Sequence, residues 1–149
     1  MILKFLIIIG VVYFSILIFL FVFQRNILFV PDRSAPSLTE TNVPEMSEVN
    51  IETKDGLSLT SWFYRGKVEK PLIIYFQGNA GNISDRDYKA RFLIDNGFSV
   101  LLLGYRGYGG NKGQPSEEGL RKDGEAALEF ASREGFEASN IILYGESLG

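Results

Sequence analysis

Five residues near the end of the chain, Gly145-Glu146-Ser147-Leu148-Gly149, have the spacing glycine-x-serine-x-glycine. This spacing is typical of a nucleophile elbow, in which a strand turns sharply into a helix and exposes a serine hydroxyl. A serine hydroxyl becomes a good nucleophile only when a base takes its proton. The pattern therefore predicts acyl transfer through Ser147. The sequence contains no histidine, so the base of a Ser-His-Asp triad is not among these residues.

The residues before the motif favour an elbow over an ordinary turn. The apolar run 141–144 is typical of a buried parallel strand, and Gly145 follows it directly. In an elbow the serine backbone is strained, and side chains at positions 145 and 149 would clash where the strand approaches the helix. The alternative is a glycine-rich turn in which Ser147 has no chemical role.

Composition limits the classes of function. The chain has 149 residues, of which 46% are hydrophobic, and a net charge of −3. This length allows at most one globular domain besides the N-terminal segment. A mildly acidic balance gives no reason to expect nucleic acid as a partner. The absence of cysteine excludes disulfides, thiolate metal sites and a cysteine nucleophile. We expect no metal and no cofactor, because histidine is absent as well. The oligomeric state stays open.

The N-terminal segment predicts a membrane anchor. Residues 5–23 carry no charge, and as a helix they would span roughly 28 Å, close to the thickness of a bilayer's hydrocarbon core. A cleaved signal peptide is the alternative, since Lys4 provides a positive start. However, the run is longer than usual for a signal peptide, and residues 24–27 offer no small-x-small cleavage site. We expect residues 1–24 to form a single transmembrane helix in the lipid bilayer. Basic residues flank both ends, so the side of the membrane is open.

The remaining sequence divides into a connector and a folded region. Prolines at positions 31, 36 and 44 make residues 25–46 a connector that is too broken for a long helix. Residues 49–53 and 57–62 alternate apolar and polar side chains around a turn at 54–56, which predicts a β-hairpin. We therefore expect the domain to occupy residues 47–149.

Apolar strands and amphipathic helices alternate after the hairpin. Continuous apolar runs predict strands at 71–76, 98–103 and 141–144. Alternation of this kind favours a parallel sheet in an α/β fold.

Two helices are expected between these strands. The first is predicted to open with a capping box at residues 84–87 and to close at Gly97. The second is predicted to start at 115–118, where acidic residues favour a helix N-terminus. An apolar stripe on the second helix is expected to face the sheet; its members are Leu120, Ala127, Leu128 and Ala131.

Several segments carry a more specific pattern: 75–82, 105–109, 113–120 together with Asp123, and 145–149. In residue type and order they resemble the α/β-hydrolase superfamily, in particular its membrane-anchored abhydrolase-domain branch. That branch is related to serine aminopeptidase-like esterases and includes thioesterases that depalmitoylate proteins. The resemblance implies strands 1 to 5 of an eight-stranded sheet, preceded here by one transmembrane helix, with Ser147 as the nucleophile.

The resemblance also implies an oxyanion hole. One backbone N–H follows the nucleophile, here that of Leu148, and the other comes from the loop after the third strand, which we assign to Asn79. The alternative is that Gly78 and Asn79 only form a tight turn. The family usually has histidine where this chain has Gln77, a residue that could still form hydrogen bonds in that loop.

Two further features are interpreted as structural. Asp123 precedes the serine, whereas the triad acid of this fold follows it. The segment 105–110 could suggest a phosphate-binding loop, but it lacks the G-x-G-x-x-G spacing because Lys112 occupies the last position. We expect Arg106 and its neighbouring glycines to shape a loop at the rim of the site.

The sequence therefore predicts the N-terminal part of a membrane-anchored serine hydrolase. Its substrates would be esters or thioesters, either small molecules or acylated proteins, with a peptidase-like activity left open. The catalytic acid and histidine would lie outside these residues. The alternative is a non-catalytic, membrane-bound fragment or interaction protein.

Overall fold

A computed structural model describes residues 2–149, which divide along the chain into two compact units, 2–30 and 31–149. The first unit is dominated by helix α1 (Ile2–Leu28), which has no buried residue and is long and apolar enough to cross a membrane. The helix continues four residues past the predicted end of the anchor at residue 24. No helix-breaking residue occurs there before Pro31.

The proline-containing segment belongs to the second unit rather than to a free connector. Strand β1 (Val30–Pro31) stands at the boundary between the units, and a single 3₁₀ turn follows at Leu38–Glu40. From Pro31 onward the chain packs on the domain, where Val43 and Met46 are buried. Apolar side chains of this segment, Val43 and Met46, therefore extend the core of the folded unit.

The second unit is built on a five-stranded sheet in the order β2-β3-β6-β4-β7. The strands of the unit are β2 (Ser47–Glu52), β3 (Ser58–Tyr64), β4 (Leu72–Phe76), the two-residue β5 (Ala80–Gly81), β6 (Ser99–Leu102) and β7 (Ile141–Gly145). The predicted hairpin is confirmed, since β2 and β3 pair antiparallel with Glu52 opposite Ser58. β3 pairs antiparallel with β6, whereas β4 runs parallel to both β6 and β7. The predicted parallel arrangement is therefore present in the strands β6, β4 and β7.

Helices α2 (Asp87–Asp95) and α3 (Glu117–Arg133) occupy the two predicted positions. The predicted cap of the first helix at residue 84 is wrong. The residue before α2 is Arg86, which makes no side-chain capping hydrogen bond. Asn82 instead caps the turn that precedes α2: its side chain accepts a hydrogen bond from the Ser84 N–H (2.9 Å), and the Asp85 carboxylate accepts one from the Asn82 N–H (2.9 Å). This capping box opens a 3₁₀ turn (Ile83–Arg86) that leads into α2. The start of α3 is as predicted, with Ser116 as its cap.

The sheet has an apolar core on each face. Alternate residues of β6 point to opposite sides, Leu101 into the core that contains α3 and Leu102 into the core that contains α2. Two members of the predicted α3 stripe, Ala127 and Ala131, are fully buried. The prediction that Leu128 faces the sheet is wrong, because Leu128 is 40% exposed and Phe130 is the buried residue.

Strand β7 differs from its prediction in burial. It pairs with β4 as expected, but Ile142, Leu143 and Tyr144 are exposed. Within the described residues 2–149, β7 has a hydrogen-bonded neighbour on one side, and that neighbour is β4. An apolar strand with one open edge and uncovered faces is the result.

A buried ion pair joins α3 to the loop after β6. Asp123 is fully buried and accepts hydrogen bonds from the Arg106 backbone N–H (3.0 Å) and Nε (2.8 Å). The Arg106 guanidinium also contacts Asp55 in the hairpin turn at 2.9 Å. Burial raises the pKa of the Asp123 carboxyl, and the neighbouring guanidinium opposes that rise. Asp123 is thus structural, as its position in the sequence indicates, and Arg106 ties three segments together.

Asp123→Ala should destabilise the protein strongly, because it leaves the buried Arg106 charge with only its contact to Asp55. We expect the free energy of unfolding in detergent micelles to fall by about 3–5 kcal/mol. Chemical denaturation followed through the fluorescence of the one tryptophan, Trp62, measures the change. The control is Arg121→Ala, which removes an exposed pair with Glu125 on the same helix and should cost less than about 0.5 kcal/mol. Similar losses in the two variants would contradict the role of the buried pair.

Candidate active site

The five-residue motif forms a sharp turn at the carboxyl end of β7. Ser147 has a φ of +55° and is the one non-glycine residue among the described residues 2–149 with a positive φ. Its side chain is exposed. Left-handed backbone at a residue other than glycine is uncommon and is concentrated at functional sites. The geometry is that expected of a nucleophile elbow.

Close backbone contacts explain the glycines on both sides of Ser147. A Cβ atom at Gly145 would lie 2.4 Å from the Gly149 carbonyl oxygen, and one at Gly149 would lie 2.3 Å from the Phe76 carbonyl oxygen. Real Cβ atoms do not approach so closely, so a side chain at either position would displace the backbone. The Phe76 carbonyl also accepts a hydrogen bond from the Glu146 N–H at 3.0 Å. The elbow therefore rests directly on the end of β4.

The loop after β4 runs beside the elbow. A Cβ atom at Gly78 would lie 3.5 Å from the Glu146 carbonyl oxygen and 3.6 Å from Ser147 Cβ. The carbonyl of the next residue, Asn79, accepts a hydrogen bond from the Tyr108 hydroxyl at 3.0 Å. The loop that contains Arg106 therefore supports the segment that we assigned to the oxyanion hole. The use of the Asn79 and Leu148 N–H groups as oxyanion donors stays a prediction.

Gln77 does not form the side-chain hydrogen bonds that its position in the loop suggested. Its side chain is fully buried, and neither amide atom has a hydrogen-bond partner among the described residues. Asn111, which lines the same small cavity, is already paired with the Thr60 backbone through both its oxygen (2.8 Å) and its nitrogen (3.1 Å). The Asn111 amide therefore forms no hydrogen bond with Gln77. Within residues 2–149, Gln77 does not stabilise the loop through side-chain hydrogen bonds.

A charged cluster next to the nucleophile was not anticipated from the sequence. The Glu146 carboxylate accepts hydrogen bonds from Lys89 Nζ (2.6 Å) and from the Tyr75 hydroxyl, and Lys89 Nζ lies 3.0 Å from that hydroxyl oxygen. Arg86 Nε is 3.5 Å from the same carboxylate oxygen. The hydrogen bonds from Lys89 and Tyr75 hold the pKa of Glu146 below its usual value. In the sequence, the one sign of this cluster is the charged residue Glu146 inside the glycine-x-serine-x-glycine motif.

Other parts of the described surface do not compete as sites for this chemistry. A cleft at the opposite end of the sheet is lined by residues after β3, at the start of β6 and before β7, including Arg65, Ser99 and Ser139. None of the elbow residues lines it. Within residues 2–149, no three acidic side chains are grouped closely enough to hold a metal ion.

Comparison with known proteins agrees with this geometry, although no protein-family model matches the chain. The Mycobacterium tuberculosis protein Rv2307c is 35% identical over 145 residues, which cover 95% of this chain and 52% of that protein. The α/β-hydrolase domain-containing protein WAV2 of Arabidopsis thaliana is 35% identical over 85% of this chain and 44% of its own length. The chain thus spans about half the length of the curated relatives it matches.

Solved structures show the same fold. The Pyrococcus furiosus esterase Pf2001 superposes with a TM-score of 0.63 at 20% identity, over 80% of this chain and 49% of the esterase. An α/β-hydrolase from Vibrio vulnificus superposes with a TM-score of 0.62 at 24% identity, over 74% of this chain and 41% of its own. Identities this low establish the fold alone. Together with its hydrolase-domain relatives, the arrangement of sheet and elbow shows that the chain belongs to the α/β-hydrolase superfamily.

Proposed function

We propose that the chain supplies the nucleophile-bearing half of a membrane-anchored serine hydrolase that acts on carboxylic esters or thioesters. The observation that carries the proposal is the backbone of Ser147, which is strained, exposed and enclosed by glycines that no larger residue could replace. A serine held in this way presents its hydroxyl at the carboxyl edge of the sheet, where α/β folds bind ligands.

The reaction would proceed through an acyl-enzyme. Ser147 Oγ attacks the carbonyl carbon while a base takes its proton, and the carbonyl oxygen becomes negatively charged. Backbone N–H groups of Asn79 and Leu148 would stabilise that oxyanion. The tetrahedral intermediate collapses, the alcohol or thiol leaves with the proton, and water then attacks the acyl group to release a carboxylic acid and free Ser147.

We propose that the acid and the histidine come from polypeptide beyond residue 149. Two observations support this assignment. The relatives are about twice as long as this chain, and the apolar side chains of β7 are exposed beside an open strand edge. A further strand paired with β7 would remove the exposed edge, and helices packed on the two faces of the sheet would cover those side chains.

Helix α1 would hold the hydrolase at a membrane, where lipid-like esters and acylated proteins are concentrated. Its length and its uninterrupted apolar surface support this role. The bilayer would be the helix's own partner, and the substrate a small-molecule ester or the thioester of an acylated protein.

Labelling with a fluorophosphonate probe tests the proposed nucleophile. We expect Ser147 to be labelled in the longer polypeptide that carries the acid and the histidine, and not in residues 1–149 alone, because losing the triad histidine costs a serine protease on the order of 10⁶ in turnover. Ser147→Ala in the longer polypeptide should abolish labelling. Ser139→Ala is the matched control, since Ser139 is also exposed but lies at the other end of β7.

Two results would contradict the proposal. Labelling that persists in the Ser147→Ala variant would remove Ser147 as the nucleophile. Stoichiometric labelling of Ser147 in residues 1–149 alone would show that no further acid or histidine is needed. Absence of labelling in both forms would favour the alternative of a non-catalytic, membrane-bound protein.

Substitutions at Asn79 test the oxyanion hole. Asn79→Ala keeps the backbone N–H and should change turnover of the longer polypeptide by only a few-fold. Asn79→Pro removes the N–H, and the loss of one donor should reduce kcat by about 10²–10³-fold. Trp62 fluorescence of each variant reports whether the domain is still folded. Equal losses in two folded variants would show that the Asn79 N–H is not a donor.

Carbonate extraction tests the anchor. A protein tagged at its C-terminus should stay in the membrane pellet at alkaline pH, because α1 is long enough to span the hydrocarbon core. Immunoblotting of the pellet and the supernatant measures the distribution. Soluble protein whose N-terminus lies near residue 25 would instead indicate a cleaved signal peptide.

A further inference from the structure

The carboxylate inside the elbow motif is anchored to two other elements of the fold. Glu146 contacts Lys89 on α2 and Tyr75 on β4, and we call these three residues the elbow brace. Tyr75 is buried, and the side chains of Lys89 and Glu146 are 23% and 35% exposed. The brace is therefore partly buried, and its charge-assisted hydrogen bonds are partly shielded from competing water.

Glu146 is also fixed through its backbone. Its N–H donates to the Phe76 carbonyl at 3.0 Å, and its own carbonyl accepts from the Gly149 N–H at 3.0 Å. The residue that follows is the strained Ser147. A backbone in a sparsely populated region costs about 1–3 kcal/mol and persists only where its surroundings over-determine it. The residue before the nucleophile is thus held at three points.

We infer that Glu146 and Lys89 are positioning residues, which hold the Ser147 backbone so that its hydroxyl and the following N–H stay aligned for acyl transfer. This inference rests on the proposed function. In addition, the brace keeps the charge of Glu146 compensated. Without Lys89, a carboxylate would stand beside the site where the oxyanion forms, opposed only by Arg86 at 3.5 Å.

The test compares variants of the longer, active polypeptide by the second-order rate of fluorophosphonate labelling and by the steady-state constants for a simple ester. We expect Lys89→Met and Glu146→Ala to reduce both the labelling rate and kcat by about 10- to 100-fold, because small displacements of a reacting group have effects of this size. KM should change less than about two-fold, since the brace does not touch the substrate.

A control on the same helix separates positioning from general destabilisation. Arg91→Met also removes a cation from α2, but Arg91 pairs with Glu45 and Asp95 rather than with the elbow. This variant should label at nearly the unmodified rate after correction for the folded fraction. Glu146→Gln, which keeps an oxygen acceptor for Lys89 and Tyr75, should recover most of the rate that Glu146→Ala loses.

The double variant Lys89→Met with Glu146→Ala provides a second measurement. If the two residues act as one unit, its loss should be close to that of a single variant rather than the product of both. The inference is overturned if Lys89→Met and Arg91→Met label equally fast, or if the losses follow the folded fraction alone. Either result with labelling still dependent on Ser147 leaves the proposed function intact, whereas labelling that survives Ser147→Ala defeats the proposed function itself.

Discussion

The backbone of the elbow lies against the carboxyl end of β4, and this contact constrains how the strands of the second unit pair. Gly149 has no room for a Cβ atom because of the Phe76 carbonyl, and that carbonyl also accepts the hydrogen bond that fixes Glu146. The elbow therefore keeps this position only while β4 and β7 stay paired in the observed register, with Phe76 opposite Gly145. The two cores that bury alternate residues of the sheet maintain that register, because a slip by one residue would reverse both faces.

Support for the site reaches it from distant segments. The hairpin turn holds Arg106 through Asp55, and Arg106 in turn is held by the buried Asp123. The loop that contains Arg106 also contains Tyr108, whose hydroxyl donates to the carbonyl of Asn79. A chain of polar contacts thus runs from the edge of the sheet to the loop beside the nucleophile. This continuity gives Arg106 and Tyr108 of the segment 105–110 a structural role beside the site.

Much of the fold could be predicted from local patterns, whereas the contacts around the site depend on long-range geometry. Alternation located the hairpin, and the acidic residues Glu117 and Glu118 located the start of α3, because both features are decided within a few neighbouring residues. The burial of Leu128 was mispredicted because the apolar face of α3 lies at a slightly different angle around the helix. The position of the capping box was mispredicted because a 3₁₀ turn capped by Asn82 precedes α2. The pairing of Glu146 with Lys89 joins residues 57 positions apart, and no spacing in the sequence indicates it. The orphaned amide of Gln77 likewise depends on which neighbours are already paired.

The strand order has a consequence for how the protein is made. Leu72 on β4 pairs with Ser99 and with Ile141, which lie 27 and 69 residues further along the chain. As the polypeptide leaves the ribosome, β4 has no parallel neighbour until β6 has emerged, and it keeps one open edge until β7 follows. Pairings over such separations are slow, because the loop must close before the contact is gained. The strained serine can therefore form only after these pairings, and β4 keeps an unpaired edge while residues 77–140 are synthesised.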